Sequence, residues 1–245
     1  ECLECSRSLS LGLISYKNLI FNDKIYRLYP NPQDGFIKVL DLGCSGGGFV
    51  KTLLDEGCLA VGLEGSDYSR KHKRAEWGTI PNFLFTADVT ANFDVYIESN
   101  NHRESLRFEV VTAWEMIEHI AESDLPNLAA NVMKHLMPEG LWIMSISPLE
   151  EIINGVRLHQ TVHPKSWWIE MFKSIGFEHL EPYVDYFNSQ FVRGPKYGAP
   201  GSFHLVLSLD PTKAPTVPNL SIKEMLYDKW MGSRIQRSIC RWIIG

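Results

Sequence analysis

No stretch of the sequence approaches the roughly eighteen consecutive apolar residues that a membrane-spanning helix needs. A secretory leader is also missing, since no basic start leads into a short apolar run with a small-residue cleavage site. Positive charge is scarce: 24 Lys and Arg stand against 29 Asp and Glu, for a net charge of −5 and a pI near 5.9. That balance excludes a surface built to cover long nucleic acid, although a short RNA end or a nucleotide stays within reach. The five cysteines, odd in number and scattered, exclude a disulfide framework and fit a reducing, cytoplasmic setting. Cys2-x-x-Cys5 has the spacing of half a zinc site but no second pair lies near it, and Cys44 and Cys58 fall where small buried residues are expected. A starting methionine is lacking as well, so the chain reads as a processed product or as a domain of a longer polypeptide.

What the chain does have is 245 residues with 44% hydrophobic content, enough for one full core. Its most informative stretch is Val39 to Val50, VLDLGCSGGGFV, where a short apolar run meets a cluster of glycines. The run predicts a buried parallel strand ending at Leu42, after which Gly43, Gly46, Gly47 and Gly48 allow a sharp turn with no Cβ atoms to hold a ligand away. Phe49 to Glu56 follows as a helix whose first N–H groups point at the same spot. A dinucleotide fingerprint, G-x-G-x-x-G, is met in neither register: Ser45 stands two residues after Gly43, and Gly46-x-Gly48 ends on Lys51. An NAD-dependent reductase is disfavoured on that ground. The stretch instead resembles the first motif of the class I S-adenosylmethionine (SAM) dependent methyltransferases, hhDhGCGxGxh with h hydrophobic, matched at Asp41, Gly43, Cys44, Gly47 and Phe49. Ser45 replaces the commoner glycine, and Gly46 takes a free position.

Strand and helix signals alternate, which predicts an α/β fold with a doubly wound, mostly parallel sheet. Strands are expected at Lys38–Leu42, Leu59–Leu63, Asn82–Thr86, Phe108–Thr112 and Leu141–Ser147, the last entered through a turn at Pro138-Glu139-Gly140. Helices are expected at Phe49–Glu56, Ser69–Trp77, Asp124–Leu136 and Pro164–Ile175. The polar connection Thr90–Arg107 holds either an extra strand at Phe93–Ile97 or a surface loop. Two final strands, Glu178–Tyr186 and Ser202–Leu209, complete what the resemblance implies is a seven-stranded, Rossmann-like sheet with an antiparallel last strand, spanning residues 35–210. Residues 1–34 are expected to pack over the cofactor, and residues 211–245 to form a proline-containing linker and a C-terminal amphipathic helix. In that last part Ile222, Met225, Leu226, Ile235, Ile239, Trp242 and Ile243 recur at helical spacing beside Arg234, Arg237 and Arg241. The pattern suits docking on its own domain or on a partner, or contact with a membrane surface.

The resemblance implies SAM as cofactor, and its parts find partners at successive strand ends. Glu64, with Gly65 beside it, suits the ribose diol, the alternative being an exposed loop acid. Asp88 suits the adenine amino group and the Val89 N–H the ring, the alternative being an Asx turn. Asp41 ties down the glycine loop or the cofactor's amino group, or is purely structural. Trp114 is expected beside the same site.

A hydroxyl acceptor must lose its proton to a base or to a metal that lowers its pKa. Glu115, Glu118 and His119 lie at i, i+3 and i+4 and share one face if the turn is helical, while His159 and His163 follow on a loop that returns to the same sheet edge. E-x-x-E-H with a later histidine resembles the ubiquinone-pathway O-methyltransferases and the enzymes that methylate the 2'-hydroxyl at small-RNA 3' ends. That resemblance implies a divalent ion, Mg²⁺, Mn²⁺ or Zn²⁺, on Glu115, Glu118, His119 and His163; without metal, His119 or His163 is the base. The loop Asn188–Gly201, with Arg193 and Lys196, is expected to close over the acceptor. The acceptor expected is a small molecule or glycan hydroxyl; the rivals are a nitrogen acceptor, an RNA 3'-terminal ribose, and an inactive methyltransferase-like interaction domain or homodimer.

Overall fold

Lys38–Leu42 (β1) is buried along its whole length and pairs in parallel on both sides, with Leu59–Glu64 (β2) and with Phe108–Trp114 (β6). The computed structural model, which describes residues 18–99, 102–231, 233, 235, 236, 238 and 239, builds outwards from this strand. Leu84–Thr86 (β3) pairs in parallel with β2, and Leu136–Ile146 (β7) with β6. Phe203–Ser208 (β11) runs antiparallel to β7, and Glu178–His179 (β10) antiparallel to β11, giving the order β10-β11-β7-β6-β1-β2-β3. This is the α/β, mostly parallel seven-stranded sheet that the alternating pattern predicts.

A strand buried on both faces needs cover on both, and successive side chains go to opposite cores. Val39, Val110 and Ile143 meet the helix over residues 18–28 (α1), Gly48–Asp55 (α2) and Glu181–Phe187 (α6) on one side. Leu40, Val111, Trp142 and Met144 meet Leu125–His135 (α4) and Lys165–Ile175 (α5) on the other. Trp168 lies wholly in that second core, while its neighbour Trp167 is only partly buried, as the amphipathic pattern predicts.

Four elements differ from expectation. The strand expected over Glu178–Tyr186 stops at His179 and α6 follows, because Pro182 has no N–H to give a ladder and Leu180, Tyr183 and Phe187 match helical spacing. The turn expected at Pro138-Glu139-Gly140 is absorbed within β7 as a register shift against β6 between Phe108 and Val110. Between β3 and β6 the polar insertion forms its own hairpin, Tyr96–Ser99 (β4) with His102–Ser105 (β5), outside the main sheet. In place of a helix over Ser69–Trp77 there is a short helix, Tyr68–Lys71 (α3), and a 3₁₀ turn at Ala75–Gly78.

After β11 the chain returns to α1 through Ile222–Trp230 (α7), started by a Ser221–Glu224 capping box. Asp228 of α7 and Lys24 of α1 form a buried ion pair at 2.7 Å, and Lys24 also donates to the Tyr186 carbonyl at 2.8 Å. Trp242, Ile243, Arg234, Arg237, Arg241 and the Cys2/Cys5 pair lie outside the described residues. Among the described residues no helix is long and apolar enough to cross a membrane. Asp228→Ala strands the Lys24 ammonium in the interior and is expected to cost about 3–5 kcal/mol in urea unfolding. Asp55→Ala, which only frees Lys51 at the surface, is expected to cost far less. Similar losses in the two variants would count against a structural role for the buried pair.

Candidate functional site

Winding reverses at β1, so the loops after β1 and β6 diverge and leave a crevice at the carboxyl ends of the strands. A cavity of about 730 Å³ occupies it, lined from the β1 side by Asp41, Gly43, Cys44, Ser45 and Phe49. Glu64, Gly65, Asp88 and Val89 form its second wall, and Trp114, Glu115, Met116, His119 and Ile120 its third.

The glycine turn is shaped for close approach. Gly43 has φ +74, and a Cβ there would sit 2.5 Å from Met116 Cγ; Gly47 has φ +81, with Leu84 Cδ1 at 2.5 Å from its would-be Cβ. Gly46 and Gly47 therefore shape the loop without lining the cavity. Ser45 adopts φ +49, which accounts for glycine being commoner there. The N–H groups of Gly43 and Cys44 both donate to the Leu63 carbonyl, at 2.8 and 3.0 Å, which locks the turn to the end of β2. On β2, Gly62 makes room for Cys44 and Leu84: a Cβ would lie 2.8 Å from Cys44 Sγ and from Leu84 Cδ2. Burial pushes the Cys44 thiol pKa up, so it is an inert wall.

Each acid is held differently. Glu64 accepts the Ser45 N–H at 2.8 Å, joining the second strand end to the glycine loop. Asp88 accepts the Thr90 hydroxyl at 2.7 Å and its N–H at 2.9 Å, an Asx turn, and those bonds lower its pKa. Asp41 accepts the Thr112 hydroxyl at 2.7 Å across to β6; burial, reinforced by Glu64, pushes its pKa up to about 7 against that bond. The residues fit SAM on chemistry visible here. Four carboxyl groups, those of Asp41, Glu64, Asp88 and Glu115, line the cavity of a cationic cofactor, the backbone cradle closes if a Cβ is added, and buried Trp114 Nε1 and Glu115 Oε1 have no hydrogen-bond partner.

The E-x-x-E-H segment does not present one face. Glu115 follows β6 with φ +52, its Oε2 accepting the Ser202 hydroxyl at 2.8 Å, and only Ile117–His119 forms a single 3₁₀ turn. Glu118 is consequently rotated inwards and fully buried. Its carboxylate accepts the Ser147 N–H at 2.9 Å, its carbonyl the N–H groups of Gln160 and Thr161, and burial pushes its pKa up to about 7. It brackets the end of β7 and the loop 158–161 against His119. His163 turns away, 3.1 Å from Glu122 and stacked on Trp167 at 3.9 Å.

The expected metal set of Glu115, Glu118, His119 and His163 is thus not assembled. Among the described residues, the group whose ligand atoms lie within 4.8 Å of one another is His119, Glu151 and His159. Glu151 was not singled out from the sequence. Asn154-Gly155, both at positive φ, turn the hairpin Ile152–Ile153 (β8) and Val156–Arg157 (β9) that brings it to His159, and this Asn-Gly pair was the available signal.

The loop Asn188–Gly201 sends only Val192 and Arg193 to the cavity. Lys196 is held instead by Ser189 Oγ at 2.9 Å and the Asp228 carbonyl at 2.5 Å. Among residues 18–34 none lines the cavity; Phe21 buttresses it from behind, against Phe49 and Trp114.

The methyltransferase domain family matches residues 15–191. No curated protein matches the sequence. Among solved structures, an S-adenosylmethionine-dependent methyltransferase from Clostridium acetobutylicum superposes with a TM-score of 0.54 at 12% identity, over 85% of this chain and 99% of that one. The 1,6-didemethyltoxoflavin-N1-methyltransferase of Burkholderia thailandensis gives 0.52 at 16%, over 80% and 76%. An amino pentose methyltransferase of calicheamicin biosynthesis from Micromonospora echinaspora gives 0.52 at 13%, over 80% and 92%. At these identities the likeness is one of fold.

Asp41 sets a pH test. Its folded pKa lies above the ordinary 3.8, so its contribution to stability is fully present below pH 3.8 and is lost as pH rises through about 7. Between pH 4 and 7.5 the protein is expected to lose on the order of 4 kcal/mol relative to Asp41→Asn, read from denaturation midpoints. Parallel pH profiles would overturn the assignment.

Proposed function

The chain belongs to the class I SAM-dependent methyltransferases, and from that premise we propose that it methylates a hydroxyl of a small molecule or glycan, with His119 receiving the hydroxyl proton. SAM, when bound, supplies an electrophilic methyl group; the chain supplies position and a proton acceptor. The observation that carries this reading is that one cavity is lined by the cofactor acids Asp41, Glu64 and Asp88 and also by His119 and Arg193.

His119 Nδ1 lies 3.1 Å from the Leu158 carbonyl, which can only accept, so the neutral ring carries its proton there. The lone pair is then on Nε2, free to take a proton. Glu118 fixes that ring indirectly, by holding the loop that bears Leu158. Glu64 would hold the ribose diol and Asp88 the adenine edge. Arg193, among the described residues the one Lys or Arg lining the cavity, suits a carboxylate or phosphate on the acceptor.

A metal-assisted version is favoured by one observation, the grouping of His119, Glu151 and His159, and would use those ligands in place of Glu115, Glu118 and His163. Two imidazoles and a carboxylate suit Zn²⁺ better than Mg²⁺. Calorimetry with Zn²⁺ on the protein and on Glu151→Gln decides: no binding, or equal binding, removes this version.

SAM is expected to raise the melting temperature, and Glu64→Ala to weaken its binding by roughly 10–100-fold through lost charge-assisted hydrogen bonds. Release of S-adenosylhomocysteine across a panel of hydroxyl and amine acceptors should select hydroxyls, with His119→Ala lowering kcat by about 10²–10⁴ at unchanged SAM affinity. Turnover of amines alone would sink the hydroxyl reading, and lack of any SAM stabilisation would sink the binding assignments.

A further inference from the structure

The two sides of α7 differ in character. The side toward α1 holds its acids, both engaged: Glu224 with Arg27 at 2.8 Å and Asp228 with Lys24 at 2.7 Å. The other side is apolar and exposed among the described residues. Ile222, Leu226 and Trp230, four residues apart, are 72%, 61% and 45% exposed, and Met225 and Tyr227 are exposed beside them. Tyr227 and Leu19 of α1 line one groove between the two helices, together with the charged Asp23, Lys24, Arg27, Glu224 and Asp228, so the apolar stripe belongs to the far side of α7. Further along the chain Ile235 and Ile239 are exposed as well.

Charge says what covers this face. With both acids of α7 paired to α1, exposed Lys223 and Lys229 are left beside the apolar stripe, with no salt bridge among the described residues. The sequence then adds Arg234, Arg237 and Arg241 among Ile235, Ile239, Trp242 and Ile243, with no acid after Asp228. A second copy of this chain would bring two basic borders together. An anionic bilayer offers what the face lacks, hydrocarbon for the stripe and negative charge for its rim. We propose that α7 lies in the plane of an anionic membrane surface, apolar side inwards.

The placement bears on the proposed activity. The last carbonyls of α7 cap onto the loop at the cavity: Asp228 O accepts from Ser189 Oγ, Gln190 Nε2 and Lys196 Nζ, and Met231 O from Tyr197. That loop carries Val192 and Arg193 into the cavity wall. A helix settled on lipid therefore holds one wall of the acceptor site near the surface. This last consequence rests on the proposed function; membrane binding itself does not.

Flotation of the full chain with phosphatidylcholine vesicles, with and without about 30% phosphatidylglycerol, tests the proposal. Binding is expected to the anionic vesicles, at least tenfold weaker to the zwitterionic ones and reduced by high salt. Ile222→Glu with Leu226→Glu, both on the exposed side, should abolish flotation while leaving the melting temperature and S-adenosylhomocysteine binding unchanged. Equal flotation of the variant overturns the assignment, as does failure of the protein to float. So does a concentration-dependent dimer in sedimentation velocity that the same double substitution dissociates, which would give the face to a second copy.

Discussion

The whole arrangement depends on β1 being paired in parallel on both sides. A strand in that position cannot send its loop the same way as its β6 neighbour, because the connections on its two flanks wind in opposite directions. The crevice is a product of that divergence. The glycine turn is what the sequence must place there, since only a backbone free to take φ near +75 can leave β1 and clear Met116.

From this follows a division of labour. The β1–β2–β3 side is built from short segments, each acid within two residues of the end of its strand, and serves a cofactor of fixed shape. On the β6–β7 side, residues arrive from the 3₁₀ turn, the loop after β9 and the segment before β11, drawn together by Glu118 and by the capped end of α7. Rigidity resides in the first half, and variability has room in the second.

The first half was legible in the sequence because its determinants are local. Asp41, Cys44, Ser45, Phe49, Glu64, Gly65, Asp88 and Val89 all line the cavity, each on or soon after a strand that the apolar runs announce, as does Trp114 at the end of β6. The second half was legible only in part. Helical spacing placed Glu118 and His119 on one face, but a single 3₁₀ turn rotates Glu118 into the core, and no pattern in a short segment distinguishes the two geometries. Met116, Ile120 and Val192 carry no chemical signature at all; they reach the cavity because distant loops converge there. The aromatic run before Phe187 has strand propensity, yet Pro182 and the burial of Tyr183, Tyr186 and Phe187 make it a helix.

Gly62, Cys44 and Leu84 share a single small volume beneath the glycine turn. None can change size alone: a methyl group added at position 62 has no place until position 44 or 84 gives one up. Across descendants of this chain the three positions should therefore drift together, with small residues at 44 permitting side chains at 62. A trace of that shared space would be written in co-varying alignment columns, at positions that carry no chemistry of their own.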